Sequence, residues 1–100
     1  MYDANMGDKA WKQRERNVAK FFGGVRTPLS GGNGKITRAD VIHESLFIEC
    51  KLRAKHTAIT LWDKTKEIAD TENKTPVIAL CEKNRKGFWI MVHSDDLYKL

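Results

Sequence analysis

One stretch of eight residues constrains the fold of this 100-residue chain more than any other, because its side chains alternate in polarity. Apolar and mostly charged positions follow each other as Leu46, Phe47, Ile48, Glu49, Cys50, Lys51, Leu52 and Arg53. Successive residues of a strand point to opposite faces, so this period of two predicts a strand over 46–53. Its apolar face has to be covered, and its charged face stays accessible.

The segment before this stretch predicts a partner strand over 38–43. The linker between them, Glu44-Ser45, is short enough for a hairpin turn, although it lacks the favoured Asn-Gly sequence. If these two residues form the turn, the two strands run antiparallel and Val41 lies opposite Ile48. That register decides which polar residues face each other.

In the same register Asp40 lies opposite Glu49, with Cβ atoms ~5 Å apart, and Lys51 projects to the same side. Facing carboxylates repel unless a cation lies between them, and Mg²⁺ is typically held by one or two carboxylates, waters and phosphate oxygens. Such a metal polarises phosphate and activates water, while an ammonium stabilises charge on phosphorus. The pattern predicts metal-dependent phosphodiester hydrolysis. The alternative is a solvated strand face with a Glu49–Lys51 ion pair.

A first helix is predicted over 8–22, with Asp8 as its N-cap and Gly23-Gly24 at its end. Glu15 falls within the apolar stripe of this helix, which consists of Trp11, Val18, Ala19 and Phe22. A carboxylate directed towards a core needs a partner. Two alternatives follow: a capping or salt-bridge role with a nearby arginine, or a place in the metal site through a bridging water.

The chain is basic, with 18 Lys and Arg against 13 Asp and Glu and a net charge of +5. An excess of positive charge on a small domain favours a polyanionic partner. Lys12, Arg16 and Lys20 share one helix stripe, where like charges are unfavourable unless phosphates lie against them. The alternative is a solvated polar face. Further positive side chains surround the predicted site: Arg26, Lys35, Arg38, Arg53 and Lys55.

The whole chain, residues 1–100, is expected to form a single mixed α/β domain with a mobile Gly-rich loop at about 28–37. A second helix is predicted over 58–72, with Leu61, Ile68 and Ala69 as its buried stripe and Trp62 beside it. Buried strands are predicted over 76–81 and 88–92, followed by a terminal turn capped by Ser94. With a short extended piece, Val25-Arg26-Thr27, after the first helix, the order α-β-β-β-α-β-β describes a single mixed sheet flanked by helices.

The remaining polar and aromatic residues carry weaker signals. Trp62 and Trp89 are expected in the core rather than as base-stacking platforms, and the three histidines share no ligand motif. Cys50 and Cys81 are expected to be buried free thiols in a reducing compartment. No apolar run approaches the ~20 residues of a membrane span, and the N-terminus lacks the apolar core of a signal peptide. These features favour a cytoplasmic location without a membrane partner.

Two segments resemble the PD-(D/E)XK nuclease signature: Arg38-Ala39-Asp40-Val41-Ile42 and Phe47-Ile48-Glu49-Cys50-Lys51, with Ala39 where the signature has proline. Within that superfamily the chain is similar to archaeal-type Holliday junction resolvases and related phage-encoded enzymes. Gln13-Arg14-Glu15-Arg16 looks like their Glu-Arg motif, and Val25-Arg26 followed by a Ser/Gly loop is also similar to theirs.

The resemblance implies a restriction-endonuclease-like core and a Mg²⁺ ion, replaceable by Mn²⁺, held by Asp40, Glu49 and the main-chain carbonyl of Cys50. It implies Lys51 as the catalytic lysine and Glu15 as an accessory acid that reaches the metal through water. Arg16 and Arg26 would contact phosphates, and Ser30 would approach the cleaved strand. With the other basic side chains near the site, the expected DNA-binding residues are Lys12, Arg16, Arg26, Ser30, Lys35, Arg38 and Arg53.

The resemblance further implies a homodimer that cuts two symmetric strands of a four-way DNA junction, in recombination and repair, within the host cytoplasm if the chain is phage-encoded. Two alternatives stay open at this point. One is a PD-(D/E)XK nuclease of another habit, such as a nicking or VRR-type repair nuclease. The other is a basic DNA-binding module without catalysis, in which facing carboxylates would only repel phosphate.

Overall fold

A computed structural model describes residues 4–28 and 37–100 of the chain, which divides into two compact units, Met1–Arg53 and Ala54–Leu100. The fold is mixed α/β. The described strands form two separate two-stranded antiparallel sheets, β1–β2 and β3–β4, rather than the one mixed sheet expected from the sequence. Across the described residues, no helix is both long enough and apolar enough to span a bilayer.

The first unit opens with α1 (Ala4–Phe22), which begins four residues earlier than predicted, so that Asp8 lies inside the helix and does not cap it. The predicted end is confirmed. Gly23 adopts a left-handed φ of +72°, and the N–H of Gly24 donates to the carbonyl of Ala19 at 2.8 Å. A glycine in this conformation satisfies the last carbonyls of a helix without a steric penalty.

Two short strands follow, β1 (Val25–Arg26) and β2 (Val41–Ile42), which pair antiparallel with Val25 opposite Ile42. Gly24 lies tightly against β2. A Cβ atom at Gly24 would lie 2.5 Å from the carbonyl oxygen of Ile42 and 2.8 Å from Cγ1 of Val41. The chain can therefore pass from α1 into β1 only because this position has no side chain.

The core of the first unit consists of Ala19, Val41 and Ile48, with Val18 and Cys50 packed against it. The apolar stripe predicted for α1 is correct in its middle, at Val18 and Ala19. It is wrong at both ends, because Trp11 and Phe22 are largely exposed. Strands of two residues cover only about one helical turn, so within the part of the unit that the structure describes the ends of the stripe have little to pack on.

The predicted hairpin is shorter than expected. Segment 46–53 contacts β2 through one isolated antiparallel bridge, Val41 with Ile48, which matches the predicted register. It is not a continuous strand, since the N–H of Cys50 donates to the side chain of Asp40 rather than extending the ladder. The predicted order therefore loses its third strand.

The turn of this hairpin depends on a histidine that the sequence did not single out for this role. Nδ1 of His43 accepts the main-chain N–H groups of both Ser45 and Leu46, each at 3.0 Å. The imidazole thus accepts hydrogen bonds from two main-chain N–H groups in a turn that lacks the favoured Asn-Gly sequence. Nδ1 of His43 is therefore occupied by the turn.

The second unit contains α2 (Thr57–Thr71), β3 (Ile78–Leu80), β4 (Trp89–Met91) and a 3₁₀ helix (Ser94–Lys99). The element types are those predicted, and both ends of α2 lie within two residues of their predicted positions. The strands pair antiparallel, with Ile78 opposite Met91 and Leu80 opposite Trp89. His93, not Ser94, caps the 3₁₀ helix, because its Nδ1 accepts the N–H of Asp95.

Burial in the second unit differs from the prediction. Helix α2 has no buried residue, and Ile68 of its predicted stripe is 65% exposed. In the strands predicted to be buried, Pro76 and Ile78 are buried, while Trp89 and Cys81 are exposed. An apolar pattern shows which side of an element can be covered, but strands of three residues offer little surface with which to cover it.

Candidate active site

Asp40 precedes β2 and is fixed by two bonds to the neighbouring segment. Its main-chain N–H donates to the carbonyl of Ile48 at 2.9 Å. Its carboxylate Oδ2 accepts the N–H of Cys50 at 2.6 Å, a short distance typical of a charge-assisted hydrogen bond. The half-buried carboxylate is therefore held against the segment that carries Glu49 and Lys51.

Two threonines support Asp40 from the other side, and the sequence analysis missed both. The N–H of Thr27 donates to the carbonyl of Asp40 at 2.9 Å, and its hydroxyl donates to the carbonyl of Ala39 at 2.8 Å. The hydroxyl of Thr37 accepts the N–H of Ala39 at 3.1 Å. The contact from Thr27 spans 12 residues, so no local spacing in the sequence indicates it.

Glu49 and Lys51 form an ion pair, with Nζ 3.1 Å from Oε2. Their side chains are 46% and 60% exposed and lie on one side of the segment, as the period of two predicts. Exposed ion pairs contribute only about 0–1 kcal/mol, so this pair does little for stability. The arrangement agrees with the solvated-face alternative, and it also leaves Glu49 accessible to a cation or a substrate.

Glu15 is the buried charged residue of the described chain, with 6% of its surface exposed. Its Oε1 lies 2.7 Å from Nε of Arg26, which joins α1 to β1. This is the salt-bridge alternative of the sequence analysis. Removing a carboxylate from water is unfavourable unless a partner compensates, and the guanidinium supplies that partner. Arg26, expected at phosphate, is held by Glu15 through Nε.

Three of the predicted acids act on the pKa of one thiol, that of Cys50. Burial raises the pKa of this thiol, and the negative charges of Asp40, Glu15 and Glu49 raise it further, in that order. Three carboxylates from α1, the approach to β2 and segment 46–53 therefore lie within electrostatic range of one sulfur atom. The spacing in the sequence predicted that Asp40 lies near Glu49, but it left the position of Glu15 open.

The donor set has the chemistry that Mg²⁺ prefers. Asp40, Glu49 and the main-chain carbonyl of Cys50 offer hard oxygen atoms, and Mg²⁺ usually takes only one or two carboxylates and fills its remaining positions with water and phosphate. Across residues 4–28 and 37–100, no group of three or more His, Cys, Asp or Glu side chains is gathered as a ready metal site. A site of two carboxylates does not require such a group.

The basic residues expected to contact DNA are placed unevenly. Lys12 is half-exposed, and Arg16, Arg38 and Arg53 are exposed. One Nη of Arg16 donates weakly to Gln13, at 3.4 Å. Ser30 and Lys35, together with most of the predicted Gly-rich loop, lie outside the described residues.

Comparisons with known protein families, with curated proteins and with solved structures found no match. A function for the chain is therefore inferred from the geometry of its residues and from the short motifs that resemble a nuclease signature.

Proposed function

We propose that the chain is a Mg²⁺-dependent endonuclease that hydrolyses phosphodiester bonds in branched DNA, as a Holliday junction resolvase does. The observation that carries the proposal is the position of Asp40. Its carboxylate is bonded to the N–H of Cys50, directly between the two residues of the Glu49–Lys51 pair. Acid, acid and lysine are thus held by one hydrogen bond and one antiparallel bridge.

The charge distribution supports catalysis over simple binding. The chain carries a net charge of +5, yet the negative charges of Asp40, Glu15 and Glu49 all act on the thiol of Cys50 and raise its pKa. Carboxylates repel phosphate, so a module that only binds DNA gains nothing from such a concentration. A cation held by two of these acids reverses the sign of the interaction with DNA.

Each residue of the site has a distinct role in this proposal. Asp40, Glu49 and the carbonyl of Cys50 would hold the metal, which when bound polarises the scissile phosphate and a water molecule. Lys51 lies beside Glu49 and stabilises the charge that develops on the phosphate oxygens. Arg26 neutralises Glu15 and fixes α1 against the site.

Recognition would depend on phosphate contacts and on the shape of the DNA, not on base readout. Lys12, Arg16, Arg38 and Arg53 are accessible cations on the unit that carries the site. We propose a homodimer that presents two sites to the two strands of a junction. A cytoplasmic location fits the two free cysteines.

Cleavage of matched synthetic substrates tests the proposal. A four-way junction, a fork and a linear duplex with the same arms are incubated with Mg²⁺ or with a chelator. Asp40→Asn keeps an acceptor for the N–H of Cys50 but removes the charge, so we expect at least a loss of about a hundredfold in cleavage with binding retained. Asp63→Asn, an exposed acid of α2, is the matched control and should cleave normally.

The outcomes separate the alternatives. Paired nicks at symmetric positions near the centre of the junction, dependent on metal, support the resolvase and a dimer. Equal cleavage of all substrates supports a nuclease of another habit, such as a nicking or VRR-type enzyme. Binding of the junction without any cleavage would refute the nuclease and leave a basic DNA-binding module.

A further inference from the structure

The turn between β3 and β4 combines positive charge with an exposed aromatic ring. Residues 82–87 contain Lys83, Arg85 and Lys86 against a single acid, Glu82. Trp89 follows at the start of β4 and is 49% exposed, although its sequence context placed it in the core. This surface, called the hairpin platform below, belongs entirely to the second unit.

Within the hairpin platform, Arg85 contacts both Trp89 and Glu82. The guanidinium carbon of Arg85 lies 4.6 Å from the centre of the Trp89 ring, and the same guanidinium contacts Glu82 at 3.3 Å. Trp89 is paired with Leu80 in the last register position before the turn. A groove of about 350 Å³ is lined by Leu80, Cys81, Glu82, Arg85 and Trp89.

We propose that the hairpin platform binds an unpaired DNA base, with Trp89 stacking on the base and Arg85, Lys83 and Lys86 contacting its flanking phosphates. An aromatic ring beside a cluster of cations is the combination that proteins use for single-stranded nucleic acid. The inference rests on the proposed nuclease function and adds to it a preference for branched DNA that exposes unpaired bases. A continuous duplex, whose bases stay stacked, offers nothing to this ring.

Charge favours nucleic acid over a protein as the occupant. The turn carries a net charge of +2 within six residues, and cations that track a phosphate backbone gain affinity by releasing counterions. Tyr98 provides an internal comparison. It is more exposed than Trp89, and the ammonium of Lys99 lies 5.9 Å from its ring centre, but it is next to no basic turn and does not line the groove beside Trp89.

Binding is measured by fluorescence anisotropy with a labelled single-stranded oligonucleotide and with the corresponding duplex, in chelator so that no cleavage occurs. We expect Trp89→Ala to weaken binding of the single strand on the order of tenfold, as for other base–aromatic stacks, and to leave duplex affinity within about twofold. Trp89→Phe keeps a ring and should recover most of the affinity. Tyr98→Ala is the control and should bind both DNAs as the unaltered chain does.

Intrinsic fluorescence gives a second readout. Single-stranded DNA should quench the tryptophan emission of the unaltered chain, and Trp89→Phe should lose most of that quenching although Trp11 and Trp62 remain. Unchanged single-strand affinity in Trp89→Ala, or an equal loss for single strand and duplex in a folded variant, would overturn the platform. Cleavage by the unaltered chain is scored separately, so absent cleavage with Trp89-dependent binding would refute the nuclease alone.

Discussion

The two units of the chain differ in how they treat charge. Met1–Arg53 has ten Lys and Arg against six Asp and Glu, whereas Ala54–Leu100 has eight against seven. The first unit buries a carboxylate, Glu15, and pairs it with an arginine. The second keeps its ion pairs at the surface, as between Lys66 and Asp70, where a hydrogen bond to the carboxylate raises the pKa of the lysine. Buried charge is unfavourable for stability, and it occurs in the unit where chemistry is proposed.

The largest expected difference concerns these two ion pairs. Arg26→Ala leaves Glu15 buried without its partner, so we expect the free energy of unfolding to fall by about 3 kcal/mol. Lys66→Ala removes an exposed partner at 2.6 Å from Asp70 and should leave stability nearly unchanged. Urea unfolding followed by circular dichroism measures both variants. Similar losses in the two would show that the units do not differ in this respect.

Two glycine-to-alanine substitutions, one in each unit, compare how closely the two units are packed. Gly24→Ala places a Cβ within 2.8 Å of two atoms of β2, and we expect a loss of about 1–3 kcal/mol from this overpacking. Gly87→Ala has no atom within 4 Å and is opposed only by its φ of +75°, which amounts to about 1 kcal/mol. Thermal unfolding of the two variants ranks them. A larger effect at Gly87 would contradict the close contact described for Gly24.

The reactivity of the two thiols, one in each unit, compares the electrostatic environments of the units. Burial and three nearby carboxylates raise the pKa of Cys50, which lowers the fraction of its reactive thiolate, and its sulfur is also less accessible than that of exposed Cys81. We expect iodoacetamide to modify Cys50 at least about tenfold more slowly than Cys81, as measured by mass spectrometry.

The pH dependence of the Cys50 thiol has a definite sign. Its neutral form is favoured in the folded chain, so stability is unaffected below the ordinary thiol pKa of about 8.5 and declines as pH rises above it. Asp40→Asn removes one of the charges that raise this pKa, and alkylation of Cys50 should then become faster. No acceleration would place Asp40 farther from the thiol than the structure does.

The smallest effect concerns a hydroxyl group. Thr27→Val removes the bond to the carbonyl of Ala39 at nearly constant volume and should lower the free energy of unfolding by about 1 kcal/mol. The control is Thr71→Val at the end of α2, where an exposed hydroxyl donates to Ile68 and water can replace it. Thr27→Val should also slow cleavage, since Thr27 supports the residues before β2. Equal stability of both variants would assign Thr27 no such role.

The features that the sequence predicted are local in origin. The end of α1 follows from two glycines, and the pairing of Val41 with Ile48 follows from the period of two and the short turn. The sequence placed Asp40 and Glu49 on neighbouring segments for the same reason. In each case the deciding information lies within about ten residues of the feature.

The features that it did not predict depend on contacts between distant residues. The partner of Glu15 could be narrowed to an arginine but not to Arg26, which lies across the end of α1. The strand over 46–53 was too long in the prediction, because a side-chain bond from Asp40 was invisible to an alternation pattern. The exposure of Ile68 and Trp89 depends on how much surface other elements provide, which a periodic pattern does not contain.

The hydrogen bond between Asp40 and the N–H of Cys50 has a consequence for how such a sequence can change over generations. One side chain serves both the proposed chemistry and the connection of two segments. A descendant that abandons cleavage can still keep this connection if the replacement carries an acceptor oxygen at the same distance, as asparagine does. Replacing the carboxylate by an amide would therefore remove the activity and keep the structure. We expect inactive descendants to reach asparagine here before they reach alanine.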